Sequence, residues 1–258
     1  MMNETADRIV GIGWDVRGWR SSQQAVAVAG IEQGHLQWLG LAPAFGFQTG
    51  EPVNFEALIE PALGPGAEQA VLRAPRVVVA IDSPLAFPRA LRRLIAGEGE
   101  PRPTASEIDN PLAYRDCDRR VAEVYGKKPL SAAFDRLGNT ASLAMTLCQA
   151  LRKSGFSVIP QDKDGADRAV IEVYPGIHKI EARRASEAVS SIARWMPESA
   201  EVGSDLYDAC ICAILALVFA GAGSILGLPD LTSPDAAMPR EEGWIFGLPP
   251  EAVAAQRD

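Results

Sequence analysis

The pattern of apolar and polar residues along the chain predicts a meander of strands followed by alternating helices and strands. Gln33-Gly34 is a hairpin signal between the second and third predicted strands. The fourth, "RVVVAIDSP", is an unbroken apolar run rich in valine, which is typical of a strand buried on both faces. The five predicted strands cover residues 8–15, 25–32, 35–41, 76–84 and 169–175.

Helical spacing fills most of the remaining chain, with Asn54 and Ser204 as candidate N-caps. The order of elements predicts the α/β class, with helices on both faces of a mixed five-stranded sheet. That order is three strands, a helix, a strand, helices, a strand and further helices. The predicted helices cover residues 54–63, 87–97, 111–126, 139–155, about 177–187, and a long segment from about Ser204.

Composition limits the classes of function. The chain has 258 residues, 47% of them hydrophobic, as expected for a soluble globular protein. A net charge of -8 excludes a protein that coats nucleic acid nonspecifically, but not an enzyme that holds phosphate through a local basic patch or metal ions. The four cysteines form no CxxC pair, which argues against a zinc site. We expect reduced thiols and a cytoplasmic location, because "MMNETADR" lacks signal-peptide character.

One segment, residues 206–228, is apolar and long enough to suggest a transmembrane helix. Asp208 lies inside it, and no lysine or arginine flanks it closely. Because an acid within a membrane is costly, we expect a buried core helix and no contact with a membrane.

Acidic residues fall where predicted strands end and where the long helix begins. Asp15 closes the first strand, Asp82 closes the fourth, and Glu172 lies within "IEVYP". Asp205 and Asp208 are three residues apart and therefore share one side of their helix. Since sites in parallel sheets form at the carboxyl ends of strands, Asp15, Asp82 and Asp208 are expected to converge.

Clustered carboxylates repel one another, and a divalent cation is the usual remedy. Oxygen ligands favour Mg²⁺ or Mn²⁺, and two such ions about 4 Å apart support phosphodiester cleavage. Each acid also has a purely structural explanation. Asp15 can cap a turn, Asp82 can start one before Pro84, and Asp205 and Asp208 suit the helix dipole.

Six motifs follow one another along the chain: "GIGWDVRGW", "AIDSPLAFP", "YRDCDRR", "IEVYP", "DLYDACICAI" and "EEGWIFGLP". In this order they resemble a bacterial family, domain of unknown function 429, whose members are predicted RNase H-like nucleases. The resemblance covers residues 9–249 and implies an RNase H-like core with acids on the first strand, the fourth strand and the last helix. Residues 1–258 are then a single domain, and residues 86–156 a helical insertion after the fourth strand.

The resemblance also implies roles for individual residues. Asp82, Glu172 and Asp208 match the acids of the family motifs, with Asp205 as a supporting ligand. In "YRDCDRR", Asp118 is a weaker candidate for the site. Its neighbours Arg115 and Arg119 are candidates for phosphate contacts, although a solvated helix face is the other explanation of such a charge run.

The first motif departs from the family pattern "G-I-D", because Gly13 stands where the acid is expected. Residues 13 and 15 share a strand face, about 6.6 Å apart. Either Asp15 replaces the acid, or the site is degraded.

The leading hypothesis is a metal-dependent nuclease in which Asp15, Asp82 and Asp208 bind Mg²⁺ or Mn²⁺, assisted by Glu172 and Asp205. Its partner is a nucleic acid or nucleotide substrate, and no protein partner is implied. One alternative is a noncatalytic binding protein on the same scaffold. Another is a nucleotide-dependent phosphotransferase of the actin and sugar-kinase type, ranked last because paired glycine-rich phosphate loops are lacking.

Overall fold

In a computed structural model, the protein is a mixed α/β fold with a seven-stranded sheet flanked by helices. The structure describes residues 8–134, 137–162, 165, 167–179 and 186–253. The strands are β1 (Ile9–Asp15), β2 (Gln24–Glu32), β3 (His35–Phe45), β4 (Arg76–Asp82), β5 (Ser157–Val158), β6 (Arg168–Val173) and β7 (Ile245–Phe246). The helices are α1 (Phe55–Leu63), α2 (Glu68–Leu72), α3 (Arg89–Ile95), α4 (Asp116–Tyr125), α5 (Leu137–Lys153), α6 (Glu187–Trp195), α7 (Asp205–Leu217), α8 (Gly223–Leu226) and α9 (Pro250–Val253).

The predicted mixed sheet is confirmed, but it has seven strands instead of five. The five predicted strands correspond to β1, β2, β3, β4 and β6. The two additional strands, β5 and β7, have two residues each, and both pair with β6 on the side opposite β4. For β5 this length leaves too little periodic pattern in the sequence to identify a strand, whereas β7 is the short strand-like piece between Gly243 and Gly247 in the tail.

The strand order is β3-β2-β1-β4-β6-β5, with β7 also paired to β6. Strand β2 is antiparallel to both of its neighbours, whereas β1, β4 and β6 run parallel to one another. The carboxyl ends of these three strands therefore lie along one edge of the sheet. That edge is the expected place for a site.

Helix α7 packs on one face of the sheet, across β1, β2 and β4. Its close approach requires glycine in β1. An added Cβ at Gly13 would lie 2.0 Å from the carbonyl oxygen of Ala209 and 2.3 Å from the nitrogen of Ala213. Residues Asp205–Leu226 are long and apolar enough to cross a membrane by length and composition, yet 78% of their most apolar window is buried within the protein.

The opposite face of the sheet packs against α1 and α5. Trp14 points to this side, is fully buried, and donates a hydrogen bond from Nε1 to Gln24 Oε1 at 3.1 Å. Helix α5 belongs to the predicted insertion, but Leu143, Leu147 and Leu151 are fully buried in the same core as β1 and β4. This part of residues 86–156 therefore completes the core.

The largest difference in helix position follows β6. The helix expected at about 177–187 falls partly on residues 180–185, which lie outside the described residues. Within the described part, α6 begins at Glu187, because the side chain of Ser186 accepts a hydrogen bond from the nitrogen of Val189. Ser186, one residue before the expected end of that helix, is therefore the N-cap of α6.

Candidate metal centre

Three carboxylates converge at the carboxyl edge of the sheet. Asp15 ends β1 and is in register with Asp82, which ends the neighbouring parallel strand β4. Ser204 caps α7 through the nitrogen of Tyr207, and the first turn of this helix carries Asp208. One carboxylate oxygen from each of Asp15, Asp82 and Asp208 lies within 4.8 Å of the other two. We call these three residues the acid cluster.

Several buried polar atoms in and beside the acid cluster make no hydrogen bond within the described part of the chain. Asp15 is 5% exposed and Asp208 9% exposed. Asp15 Oδ2 and Asp208 Oδ1 accept no hydrogen bond from the described residues, and neither does the nearby hydroxyl of Ser83, which is 3% exposed. Unsatisfied buried carboxylate oxygens are costly, so these atoms are suited to bind a ligand.

Burial and mutual repulsion perturb the protonation of the cluster. Burial raises the pKa of Asp15 from 3.8 to about 6; Arg17 opposes the increase and Asp208 adds to it. The pKa of half-buried Asp82 is raised well above 3.8, first by desolvation and then by the charges of Asp15 and Asp208. A divalent cation would offset the repulsion, and oxygen ligands suit Mg²⁺ or Mn²⁺.

Two cationic side chains border the acid cluster. Lys179 Nζ lies 2.5 Å from Asp208 Oδ2. Arg17 Nε lies 3.3 Å from Asp15 Oδ2, and the Arg17 guanidinium also pairs with both carboxylate oxygens of Asp205. Asp205, predicted as a metal ligand, therefore lies outside the three-residue cluster and holds Arg17 beside Asp15.

Glu172 does not join the acid cluster. Its register partner in β4 is Ile81, one residue before Asp82, so strand alternation places Glu172 on the other face of the sheet. Arg115 Nη2 donates to Glu172 Oε1 at 2.6 Å, and Arg115 Nη1 donates to Oε2 at 2.7 Å. The nitrogen of Leu85 also donates to Oε2, at 2.9 Å. Burial raises the pKa of Glu172, and Arg115 opposes that increase.

Arg115 is fully buried, and the predicted phosphate contact is replaced by a structural role. Besides Glu172, it donates to both carboxylate oxygens of Asp118 and to the carbonyl oxygen of Glu242. These bonds use all five N–H groups of the guanidinium. Asp118, the weaker predicted member of the site, is correspondingly a buried partner of Arg115 and caps the start of α4 through the nitrogen of Arg115.

Arg119, the other predicted phosphate ligand, is also engaged locally. Its Nη1 donates to the carbonyl oxygen of Tyr114 at 2.8 Å, and its Nη2 pairs with Asp116. Its side chain is 31% exposed. The solvated helix face, the second explanation of this charge run, describes Arg119 better than it describes Arg115.

A small cavity of about 190 Å³ adjoins the acid cluster. Its wall combines Asp15, Asp82 and Ser83 with Arg17 and with the apolar side chain of Leu130, which is 56% exposed. The cavity therefore connects the acids to solvent. The same cavity is also lined by Arg115, Asp118 and Glu172.

Sequence reasoning missed three residues near the site. Arg17 is two positions after Asp15, and this spacing is the only signal that could have indicated its role. Lys179 reaches Asp208 from the turn after β6, which no local pattern indicates. Glu242 is buried and accepts hydrogen bonds from the backbone nitrogens of Arg89 and Asp116, which links the tail to α3 and α4.

Comparisons with protein-family models, curated proteins and solved structures found no match to this chain. The resemblance to family 429 and the RNase H-like fold therefore remain predictions from the sequence motifs.

Proposed function

We propose that this protein is a metal-dependent phosphodiesterase of nuclease type on an RNase H-like fold. The observation that carries the proposal is the convergence of Asp15, Asp82 and Asp208 within 4.8 Å. The acids come from the first strand, the fourth strand and a late helix, which is the distribution that the sequence resemblance implies. A mixed sheet flanked by helices is compatible with that fold.

The residues fit a hard divalent cation. All three offer oxygen, and Asp15 Oδ2 and Asp208 Oδ1 are buried without a hydrogen-bond partner among the described residues. When bound there, Mg²⁺ or Mn²⁺ supplies Lewis-acid chemistry suited to phosphodiester hydrolysis. Hydrolysis joins a water oxygen to phosphorus and breaks a P–O ester bond, and the leaving oxygen takes up a proton.

The surrounding charges favour an anionic substrate once the acids are neutralised. Arg17 lines the cavity with its side chain 48% exposed, and Lys179 lies beside Asp208 with its side chain 30% exposed. Both place positive charge next to the cluster, where a phosphate would otherwise meet three carboxylates. Ser83 adds a hydroxyl on the cavity wall that has no hydrogen-bond partner among the described residues.

Gly13 does not argue for a degraded site. The position expected to carry the acid faces the backbone of α7, where no side chain fits, and Asp15 reaches Asp82 and Asp208 one pleat further on. The motivation for a noncatalytic binding protein is weaker as a result.

The test is hydrolysis of bis(p-nitrophenyl) phosphate and of single-stranded, hybrid and branched nucleic acids with Mg²⁺ or Mn²⁺. We expect Asp82→Asn to abolish activity, whereas Asp230→Asn, at an exposed position outside the cluster, retains it. Equal activity of wild type and Asp82→Asn, or activity unaffected by EDTA, would contradict the proposal.

A further inference from the structure

The acidic residues around the site differ in whether cationic side chains hold both of their oxygens or leave one free. The sequence suggested five acids, enough to serve two metal ions. In the structure both oxygens of Glu172 are held by Arg115, and both oxygens of Asp205 are held by Arg17. Among the described residues, only the acid cluster remains as a set of converging carboxylates that could hold a metal ion.

Lys179 contacts only one of the two carboxylate oxygens of Asp208. Oδ2 lies 2.5 Å from Lys179 Nζ, while Oδ1 is buried and accepts no hydrogen bond from the described residues. One oxygen can therefore bind a metal while the other keeps the lysine. A cation on each oxygen of one carboxylate resembles the bridging arrangement of a two-metal site, with an ammonium group in place of the second ion.

The charges of the acid cluster and its neighbouring cations also favour one metal ion together with Lys179. The three acids carry three negative charges when ionised, and Lys179 offsets one of them. Arg17 also lies 3.3 Å from Asp15 Oδ2, but its charge is offset by Asp205, with which it makes two hydrogen bonds. A single divalent cation therefore completes neutralisation, whereas a second would leave excess positive charge and find no further converging carboxylates among the described residues.

We propose that the site takes one divalent cation and that Lys179 supplies the second positive charge for the substrate phosphate. An ammonium group has three N–H donors, and the contact with Asp208 uses one. The others are suited to a phosphate oxygen. This inference rests on the proposed function and specifies how its site holds metal and phosphate.

The first test is the stoichiometry of Mn²⁺ binding, measured by equilibrium dialysis and by electron paramagnetic resonance of free Mn²⁺. We expect one ion per wild-type chain and none with comparable affinity in Asp82→Asn. Two ions per chain with similar affinity would overturn this inference but leave the proposed function intact. No binding by the wild type would overturn both.

The second test separates the effects of Lys179 on the metal and on phosphate. In Lys179→Met, we expect Mn²⁺ to bind about tenfold more tightly, because a cation near the metal is removed. Inorganic phosphate should bind the Mn²⁺-loaded variant about tenfold more weakly, because a charged donor is lost. Lys179→Arg should restore most of the phosphate affinity, and Lys153→Met, at an exposed position on α5, is the matched control.

Opposite changes in the two affinities distinguish this role from damage to the fold, which would weaken both. Unchanged phosphate affinity in Lys179→Met would overturn the role given to Lys179. So would weaker Mn²⁺ binding in a variant that unfolds with the same midpoint as the wild type.

Discussion

Replacement of Asp15 by Asn should change how the stability of the metal-free protein depends on pH. The folded-state pKa of Asp15 is about 6, compared with 3.8 for an unperturbed aspartate. The folded state therefore binds this proton more tightly than the unfolded state does. Protonation of Asp15 therefore adds to the free energy of unfolding. This contribution is complete below about pH 3.8, and it is lost as the pH rises through about 6.

The magnitude follows from the shift. About 2.2 pKa units at about 1.36 kcal/mol each correspond to about 3 kcal/mol of lost unfolding free energy at high pH. About half of this loss, roughly 1.5 kcal/mol, develops between pH 5 and pH 8. Asn at position 15 does not ionise, and it also relieves Asp82, whose pKa is raised in part by the charge of Asp15. Between pH 5 and pH 8, the free energy of unfolding of the variant should therefore rise by at least about 1.5 kcal/mol relative to that of the wild type.

The assay is urea unfolding of wild type and Asp15→Asn at pH 5, 6.5 and 8 with EDTA present. The free energy of unfolding of the two proteins is compared at each pH, and the informative quantity is how their difference changes with pH. Any packing cost of Asn that does not depend on pH cancels in this comparison. Asp230→Asn serves as the control for a generic effect of charge removal. If wild type and Asp15→Asn keep a constant difference from pH 5 to pH 8, the electrostatic description of the cluster is wrong.

Three further predictions concern packing, the buried ion pair and the metal. Gly13→Ala should lower the free energy of unfolding by about 3 kcal/mol or prevent folding, because its Cβ would lie 2.0 Å from the Ala209 oxygen; urea unfolding checks this, and a loss below 0.5 kcal/mol would contradict it. Glu172→Gln should lower the free energy of unfolding by about 3–5 kcal/mol, because the charge of buried Arg115 is then poorly compensated. Equilibrium dialysis should show that this variant still binds Mn²⁺. Loss of Mn²⁺ binding in the folded variant would instead make Glu172 a metal ligand. Mn²⁺ at 100 times its dissociation constant should stabilise the wild type by about 2.7 kcal/mol in urea, and EDTA should reverse this; an unchanged midpoint would contradict metal binding.

The sequence predicted those parts of the site that depend on local pattern. Asp15 and Asp82 end unbroken apolar runs, so each could be placed at a strand end without tertiary information. Asp208 stood out because an acid at the head of an apolar helix is costly unless it has a role. The order of elements then indicated that these ends would meet, as they do.

The remaining features depend on register and long-range contacts. A shift of one residue between β4 and β6 separates Glu172 from Asp82, and nothing in "IEVYP" specifies that register. Lys179, in the turn after β6, and Asp208, in α7, are 29 residues apart in the sequence, so no local pattern predicts their contact. In the sequence Gly13 resembles a lost acid, whereas in the structure α7 occupies the space that a side chain at this position would need.

The burial of Arg115 illustrates a further limit of reading charge from sequence. A run of arginine and aspartate usually indicates a solvated helix face, and Arg119 and Arg120 are consistent with that interpretation. Arg115 is one turn away, yet it lies at the junction of α4, β6 and the residues before β7. Only the packing of three distant segments determines that its charge is buried.

The most direct test of the central claim is the anomalous difference density of a crystal soaked in Mn²⁺. The acid cluster predicts one peak coordinated by Asp15, Asp82 and Asp208, with Lys179 still contacting Asp208. Asp82→Asn crystals soaked identically should show no peak there. A wild-type crystal without density between these three carboxylates, or with Mn²⁺ bound only elsewhere, would contradict the account.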